Sequence, residues 1–272
     1  MRRSWLFVPG ADAAAHEAAA RSGADIIVLE LEDFTPPELR PRARALSAGA
    51  FDRWRKSGAV AAVRINPLET CGREDLRVVM LARPDIVMMS KVASVEQVTA
   101  LAELAPEAEL VPNIESAAGL LNAFRIGKAS KRVTAMLVAS EDMVADLGTA
   151  RTRGGEELAY VRARFLVECR AAGVEAIDCP YTFSDVKGAA ADAKRAKRLG
   201  YRMKSLVDPS HARAINRVLT HSAKEIGKAR KIVAAFEQAR SRGKDRAKVD
   251  GALIEVPIYA AATRMLAAAG KR

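Results

Sequence analysis

Short apolar runs recur along the chain, separated by stretches rich in Ala, Glu, Arg and Leu. Each run is too short for a helix and is bounded by turn residues, which predicts buried strands at Trp5–Val8, Ile26–Glu30, Val60–Ile65, Ile86–Met89, Leu110–Asn113, Val133–Val138, Glu175–Asp178 and Arg202–Leu206. The eighth run carries Arg202 and Lys204, charges that suit a strand covered on both faces poorly. The intervening segments are built from good helix formers. Ser94 and Gln97 have capping-box spacing, and Gly23, Gly58, Gly173 and Gly200 stand where a helix would end before the next strand. Strands alternating with helices predict an α/β fold, a (β/α)8 TIM barrel with a C-terminal helical extension. The alternative is a doubly wound open sheet, and the lack of a glycine-rich fingerprint after the first strand argues against a dinucleotide-binding version.

After about Asn216 the pattern changes. A long helix is expected from Ser222 to Arg240, then a charged loop, then an apolar helix from about Pro257 to Ala268. The expected division is a catalytic barrel over 1–219 and an extension over 220–272 that packs on the barrel or on a neighbouring subunit.

In such a barrel the residues just after each strand face the catalytic end. Pro9 and Gly10 follow the first strand. Glu30, Glu32 and Asp33 end the second, Arg64 and Asn66 the third, and Lys91 follows the fourth. Glu115 follows the fifth, Glu141 and Asp142 the sixth, Asp178 the seventh and Asp208 the eighth. Glu115 and Asp142 stand at the ends of successive strands, where two carboxylates with room for water and substrate suit Mg2+. The plainer reading is that each caps the helix after it. Glu32 and Asp33 are either supporting acids of a metal site or a helix N-terminal pair. Arg64 suits bidentate capture of a substrate carboxylate, or a structural ion pair. Lys91 has two readings, a salt bridge to Asp33 or Glu115 and a Schiff-base lysine. Asp178 and Asp208 fit structural roles.

The composition narrows the field. Half of the 272 residues are hydrophobic and only 5% aromatic, as in a parallel sheet buried on both faces. No apolar run is long enough to span a membrane. Met1-Arg2-Arg3 is followed by too short an apolar stretch for a signal peptide, so a cytoplasmic protein is expected. Cys71, Cys169 and Cys179 read as reduced thiols, and His16, His211 and His221 are too scattered for a zinc site. The net charge of +11 fits either a solvated surface or an anionic partner. Much of the surplus lies between Lys224 and Lys248 without interleaved aromatics, which argues against nucleic acid and toward a phosphate-bearing small molecule such as coenzyme A.

Arg3-Ser4-Trp5-Leu6-Phe7-Val8-Pro9-Gly10 resembles the opening of citrate lyase β-subunit-like proteins of the HpcH/HpaI aldolase superfamily. The likeness continues in Leu29-Glu30-Leu31-Glu32-Asp33, which departs from that family's Asp-Leu-Glu-Asp only at Glu30, and in Arg64-Ile65-Asn66-Pro67-Leu68-Glu69-Thr70. Ser90-Lys91-Val92, Ile114-Glu115-Ser116-Ala117-Ala118-Gly119-Leu120 and Glu141-Asp142 with Asp146-Leu147-Gly148 complete a collinear set. The stretch Met203 to His211 carries Asp208 and His211 where the family has His and Gln.

The resemblance implies a TIM barrel, a bound Mg2+ held by Glu115 and Asp142, a substrate-binding Arg64, and Glu32 and Asp33 in support, with Lys91 beside them. It places Pro9 and Gly10 at the substrate. It further implies a homotrimer or homohexamer in which an acid from a neighbouring copy completes the site, and Glu255 holds that place, where the family has Asp. The expected activity is cleavage or formation of a 3-hydroxyacyl thioester such as malyl-, citramalyl- or citryl-CoA, giving an acyl thioester and a 2-oxo acid. The runner-up is a class II aldolase acting on free 4-hydroxy-2-oxo acids. A non-catalytic basic binding protein on a barrel scaffold is the third reading.

Overall fold

The computed structural model describes residues 2–270. Contacts divide the chain into one unit from Arg2 to Leu219 and a second from Thr220 onward. In the first, β1 (Ser4–Pro9), β2 (Ile26–Glu30), β3 (Val60–Ile65), β4 (Ile86–Met89), β5 (Glu109–Ile114), β6 (Ala135–Val138), β7 (Glu175–Asp178) and β8 (Met203–Leu206) close into a parallel barrel in sequence order. The TIM-barrel expectation therefore holds and the open sheet does not, because β1 pairs with β8 as well as with β2. The expected strand at Val133 starts two residues later, Val133 forming only an isolated bridge to Leu110.

Side chains alternate along each strand, so one parity fills the barrel and the other meets the helices. Trp5, Phe7, Ile26, Val28, Ala62, Met88, Val111, Leu137 and Ile177 belong to a cluster without helix residues, which is the barrel interior. Leu6, Ile27, Leu29, Val63 and Val87 belong to the larger cluster that includes helix residues such as Trp54, Phe51 and Phe165. Glu30 and Arg64 share the inward parity and are register partners on β2 and β3. They lie at the C-terminal rim, above the apolar fill.

Asp178 and Lys204 take the outward parity and meet the helices. Arg162, on the helix Ala159–Ala172, grips Asp178 at 2.7 and 2.8 Å and reaches Asp192 at 3.0 Å. Lys204 bonds Asp178 at 2.6 Å and Asp192 at 2.5 Å, and its side chain is fully buried. The charges that made the eighth run look unsuited to a strand are thus accommodated in part by a neutral buried quartet of two cations and two carboxylates. Asn66 is likewise structural: its side chain donates to the Leu31 carbonyl and to Asp75, both at 2.8 Å.

Ser94 and Gln97 form the expected capping box. Gly173 and Gly200 end their helices in the left-handed region, at φ of 80° and 117°. All three cysteines are free thiols, and burial pushes Cys179 up to about 11, which leaves it unreactive at neutral pH.

The second unit pairs the helix Ala223–Ser241 with the helix Val256–Gly270 around Ala229, Ile232, Phe236, Ile254 and Ala262, and Phe236 stacks on Tyr259 at 4.7 Å. The segment expected to be a charged loop contains a hairpin, β9 (Ala247–Val249) and β10 (Ala252–Ile254). Its turn is Asp250-Gly251, both at positive φ, a two-residue signal that the density of charge around it obscured. No helix among the described residues is long and apolar enough to cross a membrane.

Replacing Asp178 by Asn should leave Arg162 and Lys204 in excess inside the protein. The expected cost is about 3–5 kcal/mol, seen as a lowered urea midpoint for the barrel transition. A change below about 1 kcal/mol would show that the quartet is not the constraint described.

Candidate active site

The C-terminal rim gathers most of the residues the sequence singled out. Glu30 ends β2 with its carboxylate fully buried. It accepts from the Arg64 Nε at 2.9 Å and from the backbone N–H groups of Glu32 and Phe34 at 2.6 Å each. The other Arg64 nitrogens stand in longer ion pairs, 3.2 Å from Glu32, 3.7 Å from Asp33 and 3.8 Å from Glu115. Phe7 and Phe34 lie against the guanidinium, with ring centroids 5.2 and 5.8 Å from its carbon. Burial pulls the Arg64 pKa down, but Glu30, Glu115, Glu32 and Asp33 outweigh it and the net shift is upward.

Lys91 follows β4 with φ of 55°, a left-handed conformation that costs a non-glycine residue about 1–3 kcal/mol. Its ammonium bonds Glu32 at 2.5 Å, with Asp33 at 3.8 Å and Asp142 at 3.9 Å. Of the two expected partners, Asp33 stands in the longer ion pair and Glu115 makes none with Lys91, while the closest contact is Glu32, which the turn after β2 brings nearer. The Glu32 bond, chiefly, raises the Lys91 pKa, whereas a Schiff-base lysine needs it lowered.

Glu115 follows β5, and its side chain is almost wholly buried. It does not cap the next helix: Ser116 does, accepting from the Gly119 N–H at 3.1 Å. Neither carboxylate oxygen of Glu115 has a hydrogen-bond partner. Burial pushes its pKa up to about 8, with Asp142, Glu32 and Asp33 adding to the rise and Arg64 opposing it. Asp142 sits half-buried in the first turn of the helix Glu141–Asp146, whose N-cap is Ser140. Asp146 instead supports the helix after β5, accepting from the Ala117 N–H at 2.7 Å.

Around Arg64 and Lys91 lie Glu30, Glu32, Asp33, Glu115 and Asp142, five carboxyl groups against two cations. Buried polar atoms without a hydrogen-bond partner collect here: both oxygens of Glu115, the side-chain amide of Asn113, and Oε2 of Glu32, whose contact is the 3.2 Å ion pair to Arg64. Oxygen donors in acid excess suit a hard divalent cation. Among the described residues no cluster of three or more His, Cys, Asp or Glu forms a ready cage, so water or substrate would supply the remaining donors. Beside these acids is a cavity of about 370 Å3 lined by Phe7, Arg64, Leu137, Ala139, Asp142 and Ser205 among others.

The remaining expected residues make contacts of their own. The Gly10 N–H is already engaged by the Glu30 carbonyl and by Thr35, both at 3.0 Å. A Cβ there would stand 2.5 Å from that carbonyl, so glycine is required for close packing of β1 against the turn after β2. Pro9 is the register partner of Glu30. Asp178 belongs to the buried quartet, and Asp208 caps its own turn by accepting from the Ser210 N–H at 2.8 Å. His211 is buried, with Nε2 3.3 Å from the Ser184 carbonyl. Glu255 is exposed and immediately precedes the helix Val256–Gly270 of the second unit. Phe7, Phe34 and Ser205 were not anticipated. The inward parity of Phe7 and Ser205 on their strands is the signal that could have found them.

Residues 3–209 match the HpcH/HpaI aldolase/citrate lyase family. The chain belongs to that family. It is 31% identical to the citrate lyase subunit beta of Leuconostoc mesenteroides subsp. cremoris over 98% of its own length and 92% of the relative's. It is 32% identical to a (3S)-malyl-CoA thioesterase of Cereibacter sphaeroides, over 93% and 89% of the two chains. Among solved structures, the Mycobacterium tuberculosis protein CitE in complex with magnesium, acetoacetate and coenzyme A superimposes with a TM-score of 0.82 at 27% identity, covering 98% of each chain. Family membership makes the chain a carbon–carbon lyase of a family of thioester lyases and aldolases, and the reading as a non-catalytic binding protein falls.

A buried carboxyl without a hydrogen-bond partner destabilises the metal-free protein. Glu115→Gln should therefore melt no lower than wild type without metal, and it should lose the stabilisation that a divalent cation gives wild type, about 2.7 kcal/mol at a hundred times Kd. Equal metal-dependent shifts in the two proteins would remove Glu115 from the metal site.

Proposed function

We propose that the chain cleaves, or in reverse forms, the C–C bond of a 3-hydroxyacyl thioester such as malyl-, citramalyl- or citryl-CoA. The products are an acyl thioester and a 2-oxo acid. The observation that carries this reading is the buried Glu115, neither of whose oxygens has a hydrogen-bond partner, in an acid-rich rim with Asp142, which lines a cavity together with Arg64. Glu115 and Asp142 would hold Mg2+, the ion in the complexed CitE structure, with Glu32 and Asp33 in support. When bound, Mg2+ supplies Lewis-acid polarisation of the substrate's oxygens.

The protein's own residues supply the rest. The Arg64 Nη groups bind the carboxylate of the oxo-acid half and offset negative charge that develops as the bond breaks. Lys91 holds the Glu32 carboxylate in place at the rim. The substrate hydroxyl gives its proton to Glu255, contributed by a second copy of the chain in a trimer or hexamer. The hydroxyl carbon becomes the oxo carbon, the C–C electron pair passes to the thioester enolate, and the enolate carbon then takes up a proton. The apolar wall of Phe7, Leu137 and Ala139 keeps bulk water from the enolate. Basic residues on the surface would meet the phosphates of coenzyme A.

The test is cleavage of a panel of malyl-CoA, citramalyl-CoA, citryl-CoA and a free 4-hydroxy-2-oxo acid, with oxo acid and free thiol both measured. Chelator-sensitive release of oxo acid from one thioester is expected, with no free thiol. Asp142→Ala should abolish it, and full activity of that variant would contradict the proposal. Turnover of the free acid alone would establish the aldolase, and free thiol without oxo acid would establish a thioesterase. Glu255→Gln should reduce turnover at least 100-fold while leaving oxo-acid binding unchanged, as loss of a general base does.

A further inference from the structure

The Glu30 carboxylate does three things at once. One oxygen accepts from the Arg64 Nε at 2.9 Å and from the Glu32 N–H at 2.6 Å, and the other accepts from the Phe34 N–H at 2.6 Å. All three partners are donors, and the carboxylate is fully buried beneath the rim. Its position is set by register, because Glu30 and Arg64 are paired on adjacent strands with the same inward parity. The backbone it holds is the turn that carries Glu32, Asp33 and Phe34, and Phe34 in turn lies against the Arg64 guanidinium.

We propose that Glu30 is the positioning residue of this site: it takes the Nε edge of Arg64 and pins the Glu32–Phe34 turn, so that the Nη edge of the guanidinium and Asp33 of the turn meet the cavity together. This rests on the reading of Arg64 as the group that binds the substrate carboxylate. An arginine held by an Nη–carboxylate fork would spend its bidentate edge on the protein. Anchoring through Nε leaves that edge to the substrate, and the looser contacts of the Nη groups, 3.2 to 3.8 Å from Glu32, Asp33 and Glu115, are consistent with this. A glutamine cannot replace Glu30. With its oxygen toward Arg64 and Glu32, its amino group confronts the Phe34 N–H, and in the other orientation it confronts two donors.

The experiment uses the full chain labelled with 15N-arginine, with the Arg64 Nε–H resonance assigned by its absence in Arg64→Lys. In wild type that proton should exchange at least about tenfold more slowly than those of exposed arginines, and Glu30→Gln should accelerate it by roughly tenfold. Pyruvate titrated into the Mg2+-loaded protein should bind roughly 10–100-fold more weakly to Glu30→Gln. In the Arg64→Lys background the same substitution should change affinity by less than about twofold, because its effect passes through Arg64. An unprotected Arg64 Nε–H in wild type would overturn the proposal without any variant. So would an equal loss from Glu30→Gln in both backgrounds, which marks a general structural role. Failure of wild type to bind pyruvate would count against the substrate reading of Arg64, and the exchange rates would still decide the role of Glu30.

Discussion

The site depends on one buried guanidinium. Arg64 comes off β3 into a rim where β2 delivers Glu30, Glu32 and Asp33 and β5 delivers Glu115. Without that charge so many carboxyl groups could not share the space, since each buried acid raises the cost of ionising the next. With it they still outnumber the cations, even counting Lys91. Burial first, and this surplus after it, leave a Glu115 carboxyl with no hydrogen-bond partner and a pKa pushed up to about 8. A folded protein rarely leaves such a group uncompensated unless something else is meant to meet it. A hard divalent cation and an anionic substrate bound to it would together restore the balance.

The barrel contains a second buried charge cluster, and the contrast is instructive. Arg162, Asp178, Asp192 and Lys204 are as buried as Glu30, Glu32 and Glu115, yet their two positive and two negative charges balance and they are closely hydrogen-bonded to one another. They sit on the outward parity, between strands and helices, and ask for no ligand. What separates the two clusters is neither burial nor charge density. It is that one is electrically closed and the other is open toward a cavity.

Much of this was legible in the sequence because a parallel barrel repeats one simple pattern. Eight apolar runs predicted the eight strands, and polar residues after them predicted the rim. Glu32, Arg64, Lys91, Glu115 and Asp142 do converge there. Asp178 was harder to place, because proximity to a strand end does not fix direction. Its parity relative to Ile177 does, and that parity points it at the helices. The partner of Lys91 depended on how the turn after β2 folds, which the Glu30 carboxylate dictates through two backbone amides. The hairpin of the second unit was hidden for a different reason: its strands are three residues each and flanked by charged residues, so only the Asp250-Gly251 turn betrayed it.

The central claim is that the acid surplus around Arg64 is a metal site centred on Glu115 and Asp142. The most direct measurement is anomalous diffraction from crystals of the full chain soaked in Mn2+, a visible substitute for Mg2+. The account predicts one strong peak in the barrel, in contact with carboxylate oxygens of both Glu115 and Asp142. A peak bound by neither residue, or none at the rim at a Mn2+ concentration that supports turnover, would contradict it.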